Sequence, residues 1–147
     1  MNMAIMLAHY EIGRELTRFA RAMDDRDWAT LKGILTDDAT ADLGTGMLAG
    51  SDAIIALIRQ YLDVCGTSQH LLGNLIVEVD GDSATSRAYV SDMHLGPGDA
   101  PEPNFRTLGD YHDRWLRIDG CWRLAERRKL NRALIGSMDV FKKERTE

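Results

Sequence analysis

Residues 70–95, HLLGNLIVEVDGDSATSRAYVSDMHL, indicate the fold class most clearly, because their apolar residues alternate with polar ones instead of following a helical repeat. Alternation of this kind is typical of strands with one buried face. The tight-turn sequence DGDS at 80–83 divides the stretch into two strands, 70–79 and 83–95, and favours an antiparallel hairpin. The stretch therefore predicts long antiparallel strands.

Two more alternating segments follow, at 105–118 and 121–130, and the dipeptide DG between them again favours a tight turn. The residues between the two hairpins, GPGDAPEPN at 96–104, are expected to form a loop. The tail ALIGSMDVFKK at 133–143 fits either a short helix or a docking segment. The second half of the chain thus predicts a four-stranded meander.

The part of the chain before this meander has a helical repeat. Apolar residues recur at three- and four-residue steps from Ile5 to Met23, which predicts an amphipathic helix. Asp27 is expected to cap the N-terminus of a second helix over 28–35. Ser51 is expected to cap a third helix over 52–64, where the helical spacing returns.

Residues 36–50, TDDATADLGTGMLAG, have the turn residues and short β-like pieces of a small hairpin. Helices followed by a meander predict an α+β fold, in which a curved antiparallel sheet forms a half-cone barrel and the N-terminal helices pack over its concave face. We expect a single domain over residues 1–147, large enough to bury a core and to enclose a small-molecule cavity at the open end of the half-cone.

The composition narrows the classes of partner. The formal net charge is −5 and the basic residues are scattered, so no nucleic-acid surface is predicted. No apolar run approaches the roughly 18 residues of a membrane span. The start of the chain, MNMAIMLAH, lacks the basic region of a signal peptide, and a cytoplasmic location is expected. Cys65 and Cys121 are too few for a disulfide framework and lack a metal-ligand spacing.

The candidate chemistry begins with His70, which opens the first long strand, and with the acids of DDRD at 24–27, which end the first helix. Acidic side chains are poorly placed against the dipole of a helix C-terminus, which hints that one of them serves another group. A lone histidine at a strand start is most often structural, so spacing alone leaves the role of His70 open.

The other histidines do not suggest a metal site. His9, His94 and His112 are far from His70 in sequence, and no H-E-x-x-H motif or cysteine cluster is present, so no metal and no cofactor is predicted. Val90, Asp92 and His94 share one strand face, and the last two are expected to be exposed because they lie near the strand end.

The period of two also places Tyr111, Asp113 and Trp115 on one face of a strand. Trp115 and Trp122 are expected in the core, since large aromatic residues at such spacing are more often core than ligand contacts.

Four pieces, in this order, resemble a known family: FARAMDDRDWATLKGILTDDATADLG, GSDAIIALI, QHLLGNLIVEVDGDSATSRAYV and YHDRWLRIDGCWRLAERR. Together they resemble a SnoaL-like domain of the nuclear-transport-factor-two-like superfamily, from about Tyr10 to about Lys129. The relevant branch includes scytalone dehydratase, bile-acid dehydratases, hexachlorocyclohexane dehydrochlorinase and polyketide cyclases.

The resemblance implies an Asp–His pair, because enzymes of this branch use an Asp at the end of the first helix and a His at the start of the first long strand. These positions match Asp24 and His70, with Asp25 as the second candidate for the acid. It also implies that Arg127 assists the departing group and that Tyr111 lines the cavity, where its hydroxyl would contact a substrate oxygen. Val90 is a further expected substrate contact. The hydroxyl donors of scytalone dehydratase have no counterpart that the sequence assigns.

The pattern alone does not fix the direction of Arg127. Strict alternation places Arg127 with Arg123, opposite Trp122, and would turn Arg128 towards the cavity instead. Only a β-bulge between these residues would direct Arg127 inwards.

The functional expectation is a cofactor-independent lyase that eliminates water from a small hydrophobic cyclic or polyketide-like molecule. A neutral imidazole suits the abstraction of a proton from carbon, and a carboxylate both orients it and stabilises the imidazolium. An isomerase or cyclase would use the same base. The fold also serves as a small-ligand-binding module without catalysis and as the structural small subunit of a ring-hydroxylating dioxygenase, and both roles stay open. The outer sheet face predicts a homo-oligomer, a trimer or a dimer.

Overall fold

The computed structural model describes residues 2–143; the expected domain also includes Met1 and residues 144–147, which lie outside the described residues. Within 2–143 three α-helices accompany one six-stranded sheet. The helices are α1 (Met3–Asp24), α2 (Trp28–Ile34) and α3 (Ser51–Leu62). The strands are β1 (Leu35–Asp42), β2 (Met47–Ala49), β3 (Ser68–Asp80), β4 (Ser83–Gly96), β5 (Ala100–Ile118) and β6 (Cys121–Gly136). The predicted α+β class is confirmed.

The helix ends follow local capping chemistry. The Asp27 side chain accepts the backbone N–H of Thr30, so the predicted cap of α2 is confirmed. The predicted cap of α3 is wrong, because the helix begins at Ser51 itself and Gly50 takes the cap position without a side-chain hydrogen bond. The chain enters α3 at a φ of 95° at Gly50, a conformation that glycine adopts without strain.

The sheet has the strand order β2-β1-β6-β5-β4-β3. The expected hairpin between β1 and β2 and the meander β3 to β6 are antiparallel. The prediction of a fully antiparallel sheet is wrong at one place, because β1 and β6 run parallel, with Leu35 opposite Leu124. The whole segment from β2 to β5 connects these two strands and is long enough for a parallel crossover.

Two segments predicted as loop or tail are partly strand. β5 already begins at Ala100, within the predicted loop, after a short 3₁₀ helix at Pro97–Asp99. β6 continues to Gly136, opposite Phe105, and a second 3₁₀ helix follows at Met138–Phe141. The tail is therefore a strand end followed by a short helix, and pairing between neighbouring strands explains both extensions.

Bulges curve the sheet. Asn74 and Leu75 of β3 together oppose one residue of β4, and Ala125 and Arg132 of β6 have no partner in β5. Extra residues of this kind bend a strand and increase its twist. The helices α1 and α3 pack against the sheet, and Trp115 and Trp122 are buried in the core, as predicted. In residues 2–143 no helix combines the length and the apolar character needed to cross a membrane.

Candidate active site

Asp24 and His70 lie in direct contact, although 46 residues separate them in sequence. The Nδ1–H of His70 donates to Oδ1 of Asp24 at 2.7 Å, and the backbone N–H of His70 donates to Oδ2 at 2.9 Å. Because a carboxylate only accepts, Nδ1 carries the ring proton and Nε2 is unprotonated in the neutral ring. Asp25, the second candidate for the acid, is exposed at the end of α1 and makes no such contact.

Two further side chains fix the carboxylate of Asp24. The Ser68 hydroxyl donates to Oδ1 at 2.9 Å, and Arg26 donates to the Ser68 oxygen at 2.7 Å, so the hydroxyl proton points to Asp24. Burial raises the pKa of Asp24, but the hydrogen bonds from His70 and Ser68 outweigh it and hold the pKa below its ordinary value. Asp24 is therefore ionised at neutral pH.

Arg26 joins the ends of α1 and α3. Its φ is 56°, in the left-handed region, and this turn directs the guanidinium back under the helix end. It donates to the carbonyl oxygens of Met23 at 2.9 Å, Leu62 at 2.9 Å and Gly66 at 2.8 Å. The role of DDRD is thus divided: Asp24 contacts His70, Arg26 supports it, and Asp27 caps α2.

His70 lines a cavity of about 260 Å³ between the helices and the concave face of the sheet. The helix side of this cavity is apolar and includes Phe19, Met23 and Ile58. Polar groups come almost entirely from the strands. Tyr111 also lines the cavity, and burial raises its pKa, so its hydroxyl keeps its proton. A mostly apolar pocket with a few polar groups is typical of a small-molecule site.

Arg127 points into this cavity because of the bulge at Ala125, which reverses the alternation of β6. Arg128 is exposed on the outer face. The Arg127 guanidinium donates twice to Asp113, at 2.9 Å each, and lies over the rings of Tyr111 and Phe19, 3.8 Å and 4.4 Å from their centroids. Burial raises the pKa of Asp113, and the paired guanidinium opposes that rise.

The expected exposure of Asp92 and His94 is wrong: they are 2% and 6% exposed and both line the cavity. His94 is buried because the 3₁₀ helix after β6 places the ring of Phe141 against it, 5.1 Å between centroids. The Nδ1–H of His94 donates to the Phe105 carbonyl at 3.2 Å. Burial lowers the pKa of His94 to about 4, so its ring is neutral at pH 7 and lies edge-on to His70, 5.5 Å away.

Lys129 is a cavity residue that the alternation pattern did not predict. Its ammonium donates to Oδ2 of Asp92 at 2.7 Å and to Oγ1 of Thr107 at 2.9 Å. Burial raises the pKa of Asp92, but Lys129 and Thr107 lower it more, and it lies below its ordinary value. Lys129 follows Arg127 by two residues, so the same alternation would have revealed it once the bulge was known.

Val90 is the one expected contact that the structure does not place at the cavity. It is 1% exposed and lies beside Gly109 of β5, but it is not among the lining residues. Its short side chain ends within the packed layer of the sheet. Among residues 2–143, no three His, Cys, Asp or Glu side chains are grouped so that they could hold a metal ion.

Comparison with known proteins agrees with the architecture. A sequence family described as the SnoaL-like domain matches residues 5–128. The uncharacterized protein Rv2910c of Mycobacterium tuberculosis (strain H37Rv) is 32% identical over 131 residues, which cover 86% of this chain and 87% of that protein.

Two solved structures share the fold at lower identity. A scytalone dehydratase-like protein of Novosphingobium aromaticivorans DSM 12444 is 17% identical with a TM-score of 0.85, covering 93% of this chain and 92% of its own. A type 2 hexachlorocyclohexane dehydrochlorinase (LinA) is 19% identical with a TM-score of 0.79, covering 90% of each chain. At such identities the likeness shows the fold alone.

Proposed function

Because the chain belongs to the family of SnoaL-like domains, we propose that it is a cofactor-independent lyase that eliminates water from a small, largely apolar cyclic or polyketide-like molecule. The observation that carries the proposal is the 2.7 Å contact between Asp24 and His70 at the wall of an apolar cavity. The dehydratase-like and dehydrochlorinase structures with this fold support an elimination.

His70 would act as the base. Its Nε2 has no hydrogen-bond partner among the described residues, while Nδ1–H is held by Asp24. A proton would pass from a substrate carbon to Nε2, and Asp24 would stabilise the imidazolium that forms. The imidazolium would then return the proton to the departing hydroxide, which leaves as water. A positioned base of this kind contributes roughly 10²–10⁴-fold.

The neighbouring groups would hold the substrate. His94 uses Nδ1–H for the Phe105 carbonyl, so its Nε2 is free to accept a hydrogen bond from a substrate hydroxyl. Arg127 uses Nε and Nη2 for Asp113, which leaves Nη1 as a donor towards the departing oxygen. The protonated Tyr111 hydroxyl is a further donor.

The test uses one- and two-ring β-hydroxy ketones, whose loss of water gives a conjugated product that absorbs in the near ultraviolet. We expect the wild type to accelerate this loss. His70→Gln and Asp24→Asn should each reduce the rate by about 10²–10⁴-fold. Asp25→Asn is the matched control, because this acid lies next to Asp24 but is exposed.

An isomerase or cyclase would share the first step, so exchange of the substrate α-proton in deuterium oxide without loss of water would favour it over the dehydratase. If the ketones bind but neither exchange nor lose water, and His70→Gln changes nothing, the lyase proposal is wrong and a binding module remains.

A further inference from the structure

Lys129 is unusual among the cavity residues because it brings an ammonium group into a mostly apolar space. Its side chain is 15% exposed, and the cavity is the surface it faces. Buried lysines are rare unless they are paired, and here the pair is Asp92 on β4. A charged group in such a place needs a structural or a binding role.

The ammonium has one donor to spare. Of its three N–H groups, one donates to Asp92 at 2.7 Å and one to Thr107 at 2.9 Å. Within residues 2–143 no third acceptor lies within hydrogen-bond distance of Nζ. Because Lys129 lines the cavity, a bound molecule can supply that acceptor.

Asp92 behind the ammonium is closed to ligands. Its Oδ1 accepts the backbone N–H of Thr107 at 3.0 Å, and its Oδ2 accepts from the Thr107 hydroxyl at 2.7 Å and from Lys129. The pair thus presents a donor to the cavity and carries no net charge. Such a site suits a neutral molecule with an acceptor oxygen. A carboxylate would gain less, because Asp92 already neutralises the positive charge of Lys129.

The ion pair also lies next to the base. His70 and Asp92 are directly opposite each other on β3 and β4, so the oxygen held by Lys129 and the carbon that faces His70 can belong to one small ring. In a ketone these two atoms are the carbonyl oxygen and the α-carbon beside the carbonyl.

We propose that Lys129 binds the carbonyl oxygen of a neutral cyclic ketone whose α-carbon faces His70, which names the substrate class and rests on the proposed function of this cavity. When the α-proton passes to Nε2 of His70, the C–H electron pair forms the enolate C=C bond and the carbonyl π pair moves to oxygen. The free N–H of Lys129 then meets the oxygen on which charge develops, where a preorganised donor is most effective.

The experiment compares two probes of equal shape, α-tetralone and tetralin, which differ in the carbonyl oxygen. Calorimetric or fluorescence titration should show that the wild type binds α-tetralone about tenfold or more tightly than tetralin, as a hydrogen bond to a charged donor predicts. In Lys129→Met the two probes should bind with equal affinity. Arg128→Met, on the outer face of the same strand, is the control and should keep the preference.

Lys129→Met leaves Asp92 buried without its partner and can fail to fold. The double variant Asp92→Asn/Lys129→Met removes both charges and keeps an acceptor for Thr107, so it repeats the test in a stable background. A ketone preference that persists in the folded double variant, or a wild type that binds both probes equally, would overturn the proposal.

His70→Gln separates this inference from the proposed function. The variant should keep the preference for α-tetralone but lose the exchange of its α-protons in deuterium oxide. If the α-protons still exchange in His70→Gln, His70 is not the base and the proposed function is contradicted. If the preference for α-tetralone over tetralin persists without Lys129, the ketone site is contradicted.

Discussion

The single side chain of His94 should make the stability of the protein depend on pH. Burial lowers its pKa from 6.5 to about 4, so between these values the unfolded chain binds a proton that the folded chain does not. Stability should therefore fall as pH falls through this window, by about 3 kcal/mol at its lower end. Denaturant unfolding at a series of pH values measures the free energy of unfolding against pH. In His94→Gln this free energy should not show the fall that His94 causes.

The control for that series is His112→Gln, which removes an imidazole outside the cavity. Equal slopes for the wild type and His94→Gln across the window would show that His94 does not cause the dependence.

Removing one partner of the Asp113–Arg127 ion pair should lower the free energy of unfolding more than replacing both partners with apolar residues. Asp113→Ala leaves a buried guanidinium without its carboxylate, and the free energy of unfolding should fall by about 3–5 kcal/mol. The double variant Asp113→Leu/Arg127→Met removes both charges, and its free energy of unfolding should fall by clearly less than that of Asp113→Ala. Urea unfolding measures both, and equal losses would contradict the role of the uncompensated charge.

Single residues are predictable where local pattern or resemblance determines them. Asp24 and His70 are paired through the resemblance, because nothing in their spacing brings residues of a helix end and a strand start together. The cavity positions of Asp92, His94 and Lys129 are not predictable in this way. Their burial depends on the bulge in β6 and on the packing of Phe141, and neither leaves a mark in the local sequence.

Arg26 should act as a clamp that holds the ends of α1 and α3 together. Arg26→Met removes donors from four carbonyl oxygens and from Ser68, and the free energy of unfolding should fall by about 2–3 kcal/mol. Arg26→Lys should recover only part of the loss, since an ammonium lacks the planar fork.

The matched variant for this clamp is Arg21→Met, which removes an exposed arginine from the last turn of α1. Thermal or urea unfolding should give Arg21→Met a free energy of unfolding close to that of the wild type. A loss as large as that of Arg26→Met would point to helix charge instead of the clamp.

The helices and the order of the strands follow from periodicity, but the strand ends and the phase of β6 do not. Alternation across Trp122 and Leu124 continues only to Ala125, where the bulge reverses it. Because an alanine is tolerated on the buried or the exposed face of a sheet, the sequence at Ala125 does not indicate the bulge. The register of a strand against its neighbour is set by pairing over its whole length.

The outer face of the sheet is expected to pack against another copy of the chain. Leu71, Tyr89, Leu108 and Leu130 are exposed there on adjacent strands. Light scattering after size exclusion should give a mass of two or three chains. Leu108→Asp should shift it towards one chain, and a wild-type mass of one chain would contradict the expectation.

The position of β6 has a consequence for how the chain is made. β6 is the last strand synthesised, yet it lies between β1 and β5, and Leu35 meets Leu124 only after about 90 residues. Pairings so distant along the chain slow folding and expose a nascent protein to aggregation, because β1 and β5 wait with open edges. On the ribosome, the cavity residues of β6 and of the 3₁₀ helix that follows it, from Leu124 to Phe141, are added last. A prematurely terminated chain would therefore contain Asp24 and His70 without the wall that faces them.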